Sequence, residues 1–221
     1  MKIIKELYDY REMLSNLVKK DLKVRYKGSV LGFLWTFLNP LLQLIVYTIV
    51  FSTIMKVNID KFYIYLFIGL IPWLFFATCI QAGSTSILMN KDLIKKIYFP
   101  RIILPISTVN SAFMNMFYSM IVVILTILVS GIGFSKYVLL LPLAMIMQYI
   151  LVLGMTFIFS ALNVYFRDLE YILNIIVMIW FYLTPIVYEI EMIPEKFRFW
   201  FYLNPMTGII NFYRNILYYK R

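Results

Sequence analysis

Residue types able to do chemistry are sparse in this sequence. There is no His and a single Cys, Cys79, so no imidazole base, internal disulfide or Cys/His metal cluster is expected. Cys79 lies in an apolar run and reads as a small buried residue. Glu189 and Glu191 stand two apart in a loop, where they read as solvated carboxylates rather than an acid/base pair. No G-x-x-x-x-G-K-S/T phosphate loop occurs, so ATP binding in the P-loop manner is not expected. What remains is Asn90-Lys-Asp-Leu-Ile-Lys-Lys-Ile-Tyr-Phe-Pro-Arg101. Helical spacing there places Leu93, Ile94 and Ile97 on one face, with Lys91, Asp92, Lys95 and Lys96 around it. An apolar stripe rimmed by charge suits docking into a groove on another protein. A plain basic loop is the competing reading.

The elements that must hold this segment follow from composition. The 221 residues are 62% hydrophobic and 14% charged, with mean hydropathy +0.83. Ordinary globular chains are about 45–50% apolar and about 25% charged. Lipid is therefore expected to be the solvent for most of this chain, which excludes soluble enzymes, disordered regulators and secreted disulfide scaffolds. Five uncharged stretches, Gly28–Met55, Phe62–Asn90, Ile102–Ser135, Tyr137–Phe166 and Tyr171–Tyr188, each reach the roughly 17–25 residues that cross hydrocarbon as a helix. They lack the alternation of barrel strands. The expected fold is an all-α polytopic membrane bundle, with spans near 31–55, 63–89, 106–134, 138–165 and 171–188 inside a transmembrane domain at 28–221. Phe199–Tyr213 is shorter and is broken by Asn204-Pro205 and Gly208, which predicts a re-entrant C-terminal hairpin over 192–215.

The formal charge of +10 is first a topology signal, so no nucleic-acid partner is expected. Thirteen Lys and Arg precede the first span or lie between spans two and three and spans four and five, against five on the opposite side. That bias puts the N-terminus in the cytoplasm; Arg214, Lys220 and Arg221 stay unassigned. Within 1–27, Ile3, Ile4, Leu7, Tyr10, Met13, Leu14, Leu17 and Val18 recur at three- and four-residue steps among charged residues. This predicts an amphipathic helix in the cytoplasmic membrane interface, against membrane lipid, bracing the first span.

Gly28 and Gly32, four apart at the head of the first span, allow close packing of helices or of two copies. Aromatics make up 19% of the chain, enough for interfacial belts and for a track on which sugar rings slide over flat apolar faces. Trp35, Tyr47, Phe51, Trp73 and Tyr182 are the candidates for that track. The spans hold almost no ionisable residue, so ion-coupled transport is not expected.

Longer motifs carry a resemblance. Asp21-Leu-Lys-Val-Arg-Tyr-Lys-Gly-Ser-Val-Leu-Gly-Phe-Leu-Trp35, followed by Leu38-Asn-Pro-Leu41, resembles the opening of polysaccharide-export ABC transporter permeases, the membrane subunits that export O-antigen, capsule or teichoic acid chains. Leu93 to Arg101 resembles their coupling segment, and Asn163-Val-Tyr-Phe-Arg-Asp168 their second cytoplasmic loop. Thr184-Pro-Ile-Val-Tyr188, Ile193-Pro194 and Leu203-Asn-Pro-Met206 resemble their outer gate region. The resemblance implies a homodimer in a bacterial or archaeal cytoplasmic membrane, moving a lipid-linked glycan. It implies that ATP and Mg are bound by a separate ATPase subunit, on which Lys91 to Ile97 dock, and that this chain is not itself an enzyme. Pro185, Pro194, Asn204 and Pro205 would then belong to an outer gate. The family pattern includes a sixth span, which this sequence does not reach by Arg221. Export of drugs or other lipids, and a non-transporting scaffold role, are the alternatives.

Overall fold

The computed structural model describes residues 2–26, 29–54 and 59–220. Among these, every regular element is helical. Helices α1 (Lys2–Asp9) and α2 (Arg11–Tyr26) meet at Tyr10, where the backbone bonds Tyr10 N to Glu6 O and Leu14 N to Tyr10 O keep the turn nearly continuous. Next come α3 (Trp35–Thr48), α4 (Phe62–Met89), α5 (Lys91–Lys96), α6 (Ile103–Val129), α7 (Leu141–Tyr165) and α8 (Leu169–Tyr182). Two short helices, α9 (Glu195–Leu203) and α10 (Pro205–Arg214), come next, and a π-helical stretch over Asn215–Tyr219 continues from the second.

Among the described residues, four helical stretches are long and apolar enough to cross a membrane: Trp35–Ser52, Phe62–Lys96, Ile103–Val129 and Lys136–Tyr165. The fifth expected span, 171–188, is shorter than its apolar run. Helix α8 has 14 residues, about 21 Å at the α-helical rise. Pro185 explains the early stop: it has no N–H to give, and it disfavours helical backbone at Thr184. The first span also starts late. Gly32 has φ +48°, a left-handed conformation suited to glycine, and a single 3-10 turn over Gly32–Leu34 precedes α3.

The chain forms two compact units. The first comprises Met1–Phe33, Phe76–Asn115 and Tyr149–Val177. Its interior is a packed apolar cluster of Leu17, Phe99, Ile103 and Leu104, flanked by Leu7, Tyr10, Met13, Leu14, Leu93 and Ile94. Gly83 on α4 lets α7 approach closely: a Cβ there would lie 2.3 Å from Thr156 Cγ2. Tyr149 donates to Asn110 Oδ1 at 2.6 Å and meets Phe113 edge to face.

The second unit comprises Leu34–Phe75, Met116–Gln148 and Met178–Arg221. Its centre is the run Ile64 to Ile71 on α4, buried at every position. Outward positions of both units stay apolar: Leu42, Ile45 and Val46 on α3, and Tyr171, Ile172, Ile175 and Ile176 on α8, are exposed. Hydrocarbon is the solvent that tolerates such faces.

Candidate functional site

In the first unit, helix α5 follows α4 directly through Asn90, whose amide donates to Ser86 O at 2.8 Å and whose Oδ1 accepts from Lys20 Nζ at 3.3 Å. Leu93 and Ile94 turn inward onto the cluster of Leu17, Phe99, Ile103 and Leu104, against which Leu7, Tyr10, Met13 and Leu14 also pack. The Tyr10 hydroxyl adds a bond to Tyr98 O at 3.4 Å. The expected docking stripe therefore divides. Leu93 and Ile94 face that cluster, while Lys91, Asp92, Lys95, Lys96 and Ile97 are exposed, with Tyr98 at 93%. Likewise, the stripe of the N-terminal helix packs on protein rather than on lipid alone.

The second unit holds the residues resembling an outer gate. Asn204 separates α9 from α10 because it caps the latter: its Oδ1 accepts from Met206 N at 3.0 Å, with Pro205 at the first helical position, where a missing N–H costs nothing. Its Nδ2 donates to Leu183 O at 3.1 Å and Thr184 Oγ1 at 2.9 Å. Thr184, Pro185, Ile186 and Val187 are all buried. Pro194 is exposed ahead of α9, and Arg198 holds that approach by donating to Ile193 O and Glu191 O.

Arg214 is one of the basic residues that charge counting leaves unplaced. Its side chain is 1% exposed. Nη1 donates to Pro185 O at 2.5 Å and Nη2 to Ile186 O at 2.6 Å, while Cζ lies 3.5 Å from the Tyr65 ring centroid. Arg214 lies outside the five expected spans, so its burial does not bear on the expectation that those spans hold almost no ionisable residue. A signal for it exists: Met206, Thr207, Ile210, Tyr213 and Arg214 recur at helical spacing and form the buried face of α10.

Four of the five track aromatics join one series of ring contacts. Phe181 stacks on Tyr47 at 5.8 Å and meets Trp73 at 5.7 Å and Tyr182 at 5.3 Å. Tyr47 continues to Phe51 at 6.4 Å. Trp73 is buried and Tyr182 is 64% exposed. Trp35 is half-exposed at the start of α3.

Of the expected glycine pair, Gly32 alone falls among the described residues. A Cβ on Gly32 meets nothing within 4 Å, so backbone conformation is what requires glycine there; Gly28 lies outside the described residues. Among the described residues no group of three or more His, Cys, Asp or Glu is placed to hold a metal.

Long apolar helices with exposed apolar faces, an exposed cationic elbow between two of them and a broken helix pair after α8 are those of a multi-pass membrane protein. The chain belongs to the ABC-2 type transporter family, whose pattern matches residues 13–218. It is 37% identical to the O-antigen export system permease protein RfbA of Myxococcus xanthus, over 100% of this chain and 86% of that protein. An RfbA of Klebsiella pneumoniae is 38% identical over 93% of this chain and 80% of its own length. More distantly, the polysialic acid transport protein KpsM of Escherichia coli is 24% identical over 90% and 78% respectively.

Proposed function

We propose that this chain is the permease subunit of an ABC exporter that moves lipid-linked polysaccharide across the cytoplasmic membrane. Two copies work with a separate ATPase that binds ATP and Mg, and this chain binds neither. Similarity along nearly the whole chain to O-antigen export permeases carries the reading. The N-terminus and α5 lie on the cytoplasmic side, in line with the Lys/Arg bias.

The geometry supports a division of labour. The exposed side of α5, Lys91, Asp92, Lys95, Lys96 and Ile97, meets the ATPase. Leu93 and Ile94 pass its movement into the N-terminal brace and, through Asn90, into α4. Pro185, Pro194, Asn204 and Pro205 belong to an outer gate built from α9, α10 and the loop after α8. The aromatic series around Phe181 gives sugar rings apolar faces without trapping charge.

The test is depletion of the chain followed by analysis of cell-surface glycan, alongside purification of the complex. Loss of surface polysaccharide, with an ATPase that co-purifies and hydrolyses faster in the complex, is the expected result. Unchanged surface glycan with altered drug or lipid efflux would overturn the substrate class.

A further inference from the structure

We propose that Arg214 is a releasable latch, a positioning residue that holds the loop after α8 shut against α4 until transport opens it. This rests on the outer-gate reading above and adds the device that keeps the gate closed. Three separate stretches meet at one guanidinium: α10 supplies it, the Pro185 and Ile186 carbonyls accept from it, and Tyr65 of α4 lies flat beneath it. Gly69, one turn beyond Tyr65, makes the room, because a Cβ there would stand 2.9 Å from Nη2. At the other end of α10, Asn204 grips the same loop at Leu183 and Thr184 with neutral bonds.

The chemistry of the site favours release over permanence. Two carbonyls and a ring face attract the cation without neutralising it, and Glu189 acts on it only from outside ion-pair distance, no carboxylate among the described residues being closer than that. Its buried Nε–H has no hydrogen-bond partner among the described residues. A buried charge compensated only in part stands close to balance between its seat and water. A purely structural anchor at this position is better served by an apolar side chain of similar size. Tyr213, the preceding residue, stays bound to Gln148, so α10 keeps its place while the 183–187 loop is let go.

The experiment uses the permease reconstituted in liposomes with its ATPase, and reads leakage of a trapped small anionic dye without nucleotide. Arg214→Gln and Gly69→Ala, the second displacing the guanidinium without removing its charge, are each expected to leak about fivefold faster than wild type or more. Arg214→Lys, which retains charge but loses the two-carbonyl fork, falls between. Complex assembly of Gly69→Ala and Arg214→Lys stays at the wild-type level, so a faster leak reports the loop and not a lost complex. If Arg214→Gln fails to fold, Gly69→Ala alone decides. Liposomes of both variants as tight as wild type overturn the latch. A wild-type complex that shows no nucleotide-driven glycan export overturns the exporter reading instead, and the leak comparison still decides the latch.

Discussion

The Tyr213 hydroxyl donates to Gln148 Oε1 at 3.0 Å, and Gln148 Nε2 donates onward to Pro72 O at 2.7 Å. One buried amide thereby ties α10 to α7 and α7 to α4 within the second unit. Gln suits the position because it accepts at one end and donates at the other. Asn, a methylene shorter, does not span both partners.

Tyr213→Phe removes the donor and leaves Gln148 Oε1 buried without it. Hydrogen bonds inside membrane bundles average roughly 0.6 kcal/mol and reach about 1.7; an orphaned buried acceptor belongs toward the upper end of that range. The expected outcome is a melting temperature lowered by a few degrees in detergent. Tyr213→Phe combined with Gln148→Leu should cost less than the sum of the two single changes, because each single change orphans the other's partner. Strict additivity would show that the two side chains act independently.

Gly83→Ala tests the closest helix approach in the first unit. The added methyl would stand 2.3 Å from Thr156 Cγ2, and a β-branched side chain cannot swing its methyl away freely. Overpacking of this kind costs about 1–3 kcal/mol. Thr156→Ser deletes that methyl while keeping the hydroxyl that donates to Val152 O at 2.8 Å. The double variant should recover most of the melting temperature, and a double variant as unstable as Gly83→Ala would refute the assigned contact.

The helical class and the lipid-facing surfaces were legible because apolar runs interrupted by charge are a coarse, strong signal. Two particulars were not. Leu93 and Ile94 satisfy the sequence pattern of an outward docking stripe and of an inward one equally well. Only the cluster that joins Leu17 to Phe99, Ile103 and Leu104 decides between them, and it brings together segments nearly eighty residues apart. Arg214 follows a 15-residue run too broken to score as a span, so charge counting leaves it unassigned. Its burial depends on the Pro185 and Ile186 carbonyls, left free to accept where the chain leaves α8.

The inward turn of Leu93 changes what substitutions in α5 should do. Leu93→Asp buries a carboxylate against the cluster of Leu17, Phe99, Ile103 and Leu104, so it should destabilise the first unit as well as weaken any docking. Lys95→Glu combined with Ile97→Asp alters only exposed positions. That variant should keep wild-type melting while lowering affinity for the ATPase about tenfold, a difference of roughly 1.4 kcal/mol. Binding of the purified ATPase to the two variants in nanodiscs separates these effects. Undiminished binding by the Lys95/Ile97 variant would move the docking surface elsewhere.

The aromatic series offers a comparison between a packing residue and a surface one. Phe181 touches three rings, Tyr47, Trp73 and Tyr182, and aromatic pairs contribute about 0.5–1.5 kcal/mol each beyond burial. Phe181→Ala should therefore lower the melting temperature and export together. Tyr182 is mostly exposed, so Tyr182→Ala should leave the fold intact. If sugar rings pass over it, export slows by about twofold to threefold, because a sliding polymer spreads its contacts over many faces and loses well under 1 kcal/mol at any one of them. Tyr182→Phe should restore the rate, since the ring and not the hydroxyl supplies the apolar face. Export by Tyr182→Ala at the wild-type rate would place that ring in the interfacial belt instead.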